Sequence, residues 1–161
     1  MTSQGNAPEI AWEELDELYR GIILDHARKP RNQRPIEAPD VRAHVLNPFC
    51  GDEVYLDLSL RSGLVGAVRV HGQGCAISQS AASLMSEALK GKDVAQMRTL
   101  SQRFTRMMRG EHLTEVELAS LGDLQALAGV ARFPVRVKCA LLAWNTLDEG
   151  LDEYGAGRKR S

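Results

Sequence analysis

From Val54 onward the chain alternates. Val54, Leu56, Leu58 and Leu60 are apolar, and Tyr55, Asp57, Ser59 and Arg61 between them are polar or aromatic. A period of two is the signature of a β-strand with one face buried and one face wet. Ser62-Gly63 follows as turn chemistry, and Val65 to Val70 returns as a second run rich in valine. Two such runs joined by a tight turn predict an antiparallel hairpin. An isolated hairpin is marginal in water, so the rest of the chain must cover its apolar face.

The remaining elements supply that cover. Val41–Leu46 reads as a further strand. Before it, Trp12, Leu15, Leu18, Tyr19, Ile22, Ile23 and His26 fall at helical spacing, and the helix they predict ends before Pro30. Behind it comes a basic loop with Arg28, Lys29, Arg31 and Arg34, read as a solvated surface in preference to a docking patch. Gly72, Gly74 and Cys75 break the strand pattern, and a helix is predicted from Ala76 to Leu89. Asp93 suits the N-cap of a helix reaching Met107 or Met108. Residues 110–133 read as one or two short helices, with Thr114 and Asp123 as candidate caps. Pro134 suits the first turn of a last helix carrying Val137, Leu141, Trp144, Leu147 and Leu151 on one stripe. Strands come first and most helices later. The fold class is therefore α+β. The segmentation is a flexible tail over 1–8, one domain over 9–153 and a flexible basic tail over 154–161.

The length of 161 residues suits one domain with a substantial core. Hydrophobic residues make up 43% and charged residues 25%, and the net charge is −1. That balance gives no general case for binding nucleic acid or an anionic membrane. The N-terminal residues show no secretory signal, and no apolar run reaches bilayer length. A cytoplasmic location is expected, and with it reduced thiols.

There are three cysteines, an odd number that cannot all pair within one chain. Each lies at the end of a predicted element. Cys50 precedes the first hairpin strand, Cys75 opens a helix, and Cys139 lies near the start of the last one. The positive end of a helix favours a thiolate, which is both the nucleophile and the metal ligand. Cys50 and Asp52 share the parity of the buried Val54 and Leu56. A carboxylate there is costly unless it is paired or bound to a cation. Cys50, Asp52, Cys75 and Cys139 together would make one tetrahedral set, and zinc accepts both thiolate and carboxylate. Arg136 and Lys138, flanking Cys139, would offset part of its negative charge, Arg136 being better suited as a fixed partner. Spacing alone leaves a plainer reading open. Free cysteines are among the most buried residues, and an aspartate after glycine is ordinary turn chemistry. His71, at a strand end near Cys75, is the one nearby histidine available as a ligand; solvation or a hydrogen bond is the plainer role. His26 packs or caps the first helix. His44 and His112 form no constellation.

Taken together, LYRGIILDHARKPRN, NPFCGD, GQGCAISQSAASLM and RFPVRVKCALLAWNTL closely resemble the iron–sulfur assembly proteins of the NifU/IscU superfamily. The resemblance runs from about Leu18 to Leu151. It implies a SufE/NifU-like fold, in which a small three-stranded antiparallel sheet packs against about five or six helices. It also implies that Cys50, Asp52, Cys75 and Cys139 form the active-site set. IscU-type scaffolds carry histidine just before the third cysteine, whereas this chain has Lys138, and it has an extra segment over residues 111–132. Both features resemble the SufU branch.

That branch implies a zinc-dependent, sulfurtransferase-like carrier. Cys50 would accept persulfide sulfur from a SufS-type cysteine desulfurase and pass it to downstream iron–sulfur assembly proteins. Two alternatives stay open. One is a scaffold assembling a transient [2Fe–2S] cluster on Cys50, Cys75 and Cys139. The other is a binding module with a purely structural zinc.

Overall fold

The computed structural model describes residues 16–47 and 51–160, with side chains through residue 157. Its centre is the expected hairpin. Strand β2 (Glu53–Arg61) and strand β3 (Leu64–Gln73) pair antiparallel, with Leu56 opposite Val70 and Leu58 opposite Val68. Ser62 and Gly63 both have positive φ, 54° and 81°. This is the hairpin turn whose twist matches that of the strands. Strand β1 (Val41–Leu46) pairs antiparallel with β2 on the other side, giving the order β1-β2-β3. Strand β3 runs past Val70 to Gln73, because Gly72 and Gln73 still pair with Val54 and Glu53.

The alternation of β2 holds on its inner face, where Val54, Leu56 and Leu58 are buried. It fails on the outer face at one residue. Asp57 is buried, because the preceding loop and β1 fold over it. Arg42 donates to its carboxylate through Nε at 2.8 Å, and the Ile36 N–H donates at 3.0 Å. Burial alone would push the Asp57 carboxyl up, but these donors outweigh it and hold it below the usual range.

The helices cover the inner face. Helix α2 (Ala76–Ala88) packs on β3, and helix α5 (Pro134–Arg160) packs on β1 and β2. Helix α1 (Glu17–Arg28) lies against α2. It begins at Asp16, whose carboxylate accepts from the Leu18 and Tyr19 N–H groups. Trp12 and Leu15, expected on this helix, lie outside the described residues, as does the expected 1–8 tail. His26 packs as expected, its Nδ1 2.7 Å from the Ser83 hydroxyl. In the basic loop, Arg28, Lys29 and Arg34 are exposed. Arg31 is half-buried and pairs with Asp25.

Helix α3 (Val94–Met108) opens with a reciprocal Asp93–Gln96 capping box, and helix α4 (Glu115–Leu121) with a Thr114–Glu117 box. Asp123 caps nothing, in contrast to expectation: it lies inside a 3-10 helix over Gly122–Arg132 that continues directly from α4. The described residues thus hold five α-helices, one 3-10 helix and a three-stranded antiparallel sheet. None of these helices is long and apolar enough to cross a membrane.

Helix α5 departs from its sequence reading in two ways. Its expected stripe is only one of its buried sides. Trp144, Leu147 and Leu151 are buried, but so are Ala140, Leu142, Ala143 and Thr146, since the sheet, α2 and α3 all pack against it. Trp144 is fully buried and stacks on Phe104 with ring centroids 5.2 Å apart. The helix also continues to Arg160, through the segment read as a tail. Gly155 and Gly157 each cost only about 1 kcal/mol against alanine in a helix, and no proline follows to stop it.

Candidate metal centre

The connection between β1 and β2 closes on itself. The Gly51 N–H donates to the Asn47 carbonyl, and the Asn47 N–H donates to the Asp52 carbonyl, both at 2.8 Å. Gly51 turns the chain with φ 77°, where other residues are strained. Asp52 follows it and keeps the inward parity of β2, so its side chain is only 5% exposed. Cys50, expected in the same set, lies outside the described residues.

Cys75 comes from a second element. Strand β3 ends at Gln73, Gly74 makes the junction, and Cys75 is the N-cap of α2. Cys139 comes from a third. It lies in the second turn of α5 and is 3% exposed. One carboxylate oxygen of Asp52 and the two sulfurs all lie within 4.8 Å of one another. The Cys75 sulfur is 4.0 Å from Asp52 Oδ2, and Arg136 Nη1 donates to the Cys139 sulfur at 3.9 Å.

The two sulfurs shift each other in opposite directions. Cys139 donates to Cys75 and so pulls the Cys75 thiol well below its ordinary value, against the opposing effect of burial; the Ser78 backbone and hydroxyl add to the pull. The same bond pushes Cys139 up, and burial adds to that. Cys75 is thus the sulfur favoured as thiolate, and it lies at the N-terminal end of α2, whose dipole favours the charge. Burial works against the charge of Arg136, but the neighbouring sulfurs outweigh it and favour the guanidinium cation. Lys138 is exposed, and of the two flanking cations only Arg136 has a recorded contact with the sulfurs.

His71 is not a member of this group. It pairs across the sheet with Tyr55, on the face opposite Val54 and Asp52. There the His44, Tyr55 and His71 rings stack, with centroid separations of 4.0 and 4.9 Å. His44 also contacts Glu53 at 3.0 Å. Strand parity thus sets aside the ligand role, the less favoured of the two readings of His71, and His44, expected in no constellation, does join one. Registering β1, β2 and β3 against each other would have found both. The site also contains Ser78, which reading by residue type passed over. Its hydroxyl donates to the Cys75 carbonyl at 3.0 Å.

Two sulfurs and a carboxylate converging on one point suit a cation that accepts both soft and hard donors, and zinc is such a cation. Arg136 beside them limits the excess of negative charge.

The comparisons agree with this geometry. A family model described as the NifU-like N terminal domain matches residues 18–161. The chain is 38% identical over 143 residues to the zinc-dependent sulfurtransferase SufU of Bacillus subtilis, covering 89% of this chain and 95% of that one. It is 32% identical over 142 residues to the iron–sulfur cluster assembly scaffold protein IscU of Streptococcus pyogenes, covering 88% and 87%. Its fold superposes with a TM-score of 0.78, at 29% identity, on a candidate iron–sulfur cluster assembly scaffold of the SUF system from Fervidobacterium islandicum. That match covers 88% of this chain and 99% of the other.

Proposed function

The chain belongs to the family of NifU-like N-terminal domains, and from that premise we propose that it is a zinc-dependent sulfur acceptor in iron–sulfur cluster assembly. The observation that carries the reading is the convergence of Asp52, Cys75 and Cys139, drawn from three separate elements, on one partly shielded point. In this reading Asp52, Cys75 and Cys139 hold the zinc, with Cys50 as the fourth ligand and the sulfur acceptor. Similarity to the SufU of Bacillus subtilis supports zinc over other cations. Bound zinc would keep the thiols deprotonated and tie the three elements together.

The partner is a SufS-type cysteine desulfurase carrying a persulfide. The Cys50 thiolate attacks the terminal sulfur of that persulfide. A new S–S bond forms at Cys50, and the donor's S–S bond breaks. Its electron pair leaves with the donor cysteine, which takes up the proton that Cys50 lost. The transferred sulfur keeps its oxidation state, so no oxidant is needed. The sulfur then passes to downstream iron–sulfur assembly proteins, in the reducing setting of the cytoplasm. Arg136 steadies the Cys139 side of the site, and Lys138 contributes positive charge at its rim.

A second reading is a scaffold holding a [2Fe–2S] cluster, favoured by the similarity to IscU of Streptococcus pyogenes. Against it, Lys138 stands where the IscU type has histidine. Metal analysis of the purified protein, with a desulfurase stimulation assay, separates the two. The proposal expects about one zinc per chain and faster sulfide release by the desulfurase. A brown protein that hands a cluster to an apo-protein, with no stimulation, would replace it with the scaffold.

A further inference from the structure

Two glycines flank Gln73 at the end of β3, and they are needed for different reasons. Gly72 has φ 149°, and a Cβ there would fall 2.1 Å from the Glu53 carbonyl oxygen and 3.2 Å from the Val54 Cα. Those atoms are backbone of the neighbouring strand, and they cannot move without opening the sheet. Gly72 is thus required by the fold.

Gly74 is required by something else. Its φ lies outside the left-handed region, so an alanine could adopt the same backbone. The obstruction is spatial. A Cβ at Gly74 would lie 2.1 Å from the Ser78 Oγ and 2.9 Å from both Cγ and Oδ1 of Asp52. None of these three nearest atoms is backbone. They belong to two short side chains, which can rotate away where a sheet cannot. The cost of a side chain at 74 therefore falls on the position of the Asp52 carboxylate and the Ser78 hydroxyl, and hardly on the fold.

We propose that Gly74 is the positioning residue for Asp52. The space left by its missing Cβ is where the Asp52 carboxylate reaches the two sulfurs. Ser78 closes the other side of that space, with its hydroxyl held by the Cys75 carbonyl at 3.0 Å. Gly74→Ala turns the carboxylate out of the group and leaves the sulfurs where they are. This inference rests on the zinc reading above and adds to it the residue that sets one ligand.

The test is a zinc affinity measurement by chelator competition on four proteins: wild type, Gly74→Ala, Asp52→Ala and the double variant. Gly74→Ala should weaken zinc by about tenfold or more, the scale on which lost support of a ligand weakens metal sites. In the Asp52→Ala background the same change should cost no more than about twofold, because groups acting as one unit are not additive. The visible spectrum of the cobalt-substituted Gly74→Ala protein should match that of Asp52→Ala and differ from wild type. Gly74→Ala/Ser78→Ala removes the nearer contact and keeps the one to Asp52, so it should melt cooperatively and show the same zinc weakening. Wild-type affinity in Gly74→Ala, or an equal loss with and without Asp52, overturns the inference and leaves the zinc reading standing. Loss of cooperative melting in both Gly74→Ala and Gly74→Ala/Ser78→Ala also overturns it, since only side chains have to move. A wild-type protein that binds no zinc overturns both.

Discussion

Removing the metal is predicted to lower the melting temperature of this domain by an amount that can be worked out in advance. The proposed ligands Asp52, Cys75 and Cys139 come from the start of β2, the start of α2 and the second turn of α5. An ion held by all three joins the sheet to its two covering helices. An ion that binds only the folded chain stabilises it by about 2.7 kcal/mol when free metal is 100 times the dissociation constant. For a domain of this size each 1 kcal/mol is worth about 2–4 °C, so chelation should lower the melting temperature by roughly 5–10 °C. The assay is calorimetry with and without chelator, with zinc measured before and after. Cys139→Ser should melt near the chelated wild type and respond little to added zinc. Hydrogen exchange should rise first in residues 52–54, 75–79 and 136–140. If the zinc leaves and the melting temperature stays put, the ion is not coupled to the fold and the reasoning fails.

Three further outcomes are expected. Asp52→Ala should still carry some zinc, since the three cysteine ligands of the proposed set remain, but should lose sulfur transfer; unchanged transfer rates would remove Asp52 from the site. Arg42→Met strips Asp57 of its cation while leaving it buried, and should cost about 1–3 kcal/mol in urea unfolding at neutral pH. Because the Asp57 carboxyl is held low in the folded chain, that difference is present above its unfolded value and should shrink as pH falls through its folded one; a constant difference would contradict the pairing. Glu117 is held down to about 2 by the Thr114 N–H and by Arg106, so its capping contribution is present above the ordinary carboxylate range and lost as pH falls toward that value. The Glu117 carboxyl shift, followed by NMR against pH, should show the low midpoint.

Much of this architecture is legible in the sequence because local signals and global fold agree. Alternation in Val54–Leu60 and the Ser62-Gly63 turn define the hairpin, and Asp93 and Thr114 mark their helix starts as cap chemistry requires. The misreadings have physical causes that residue type and parity do not carry. Asp57 has outward parity but is covered by residues 36–42. Asp123 is good cap chemistry, but the chain passes from α4 into a 3-10 turn without a break. Helix α5 runs on because nothing in its sequence stops it, a fact that patterning of its buried stripe does not reveal. At the site, residue type singles out Cys75, Cys139 and Asp52. Gly74 and Ser78 are visible only once β3 and α2 are placed around Asp52.

The central claim is that Cys50 receives the sulfur while Cys75 and Cys139 serve as ligands. Peptide mass spectrometry tests it most directly. The protein is incubated with a SufS-type desulfurase and cysteine, and thiols and persulfides are then alkylated without reductant. The account predicts a gain of one sulfur atom on the peptide containing Cys50, and none on those containing Cys75 or Cys139. A persulfide on Cys75 or Cys139, or full stimulation of the desulfurase by Cys50→Ala, would contradict it.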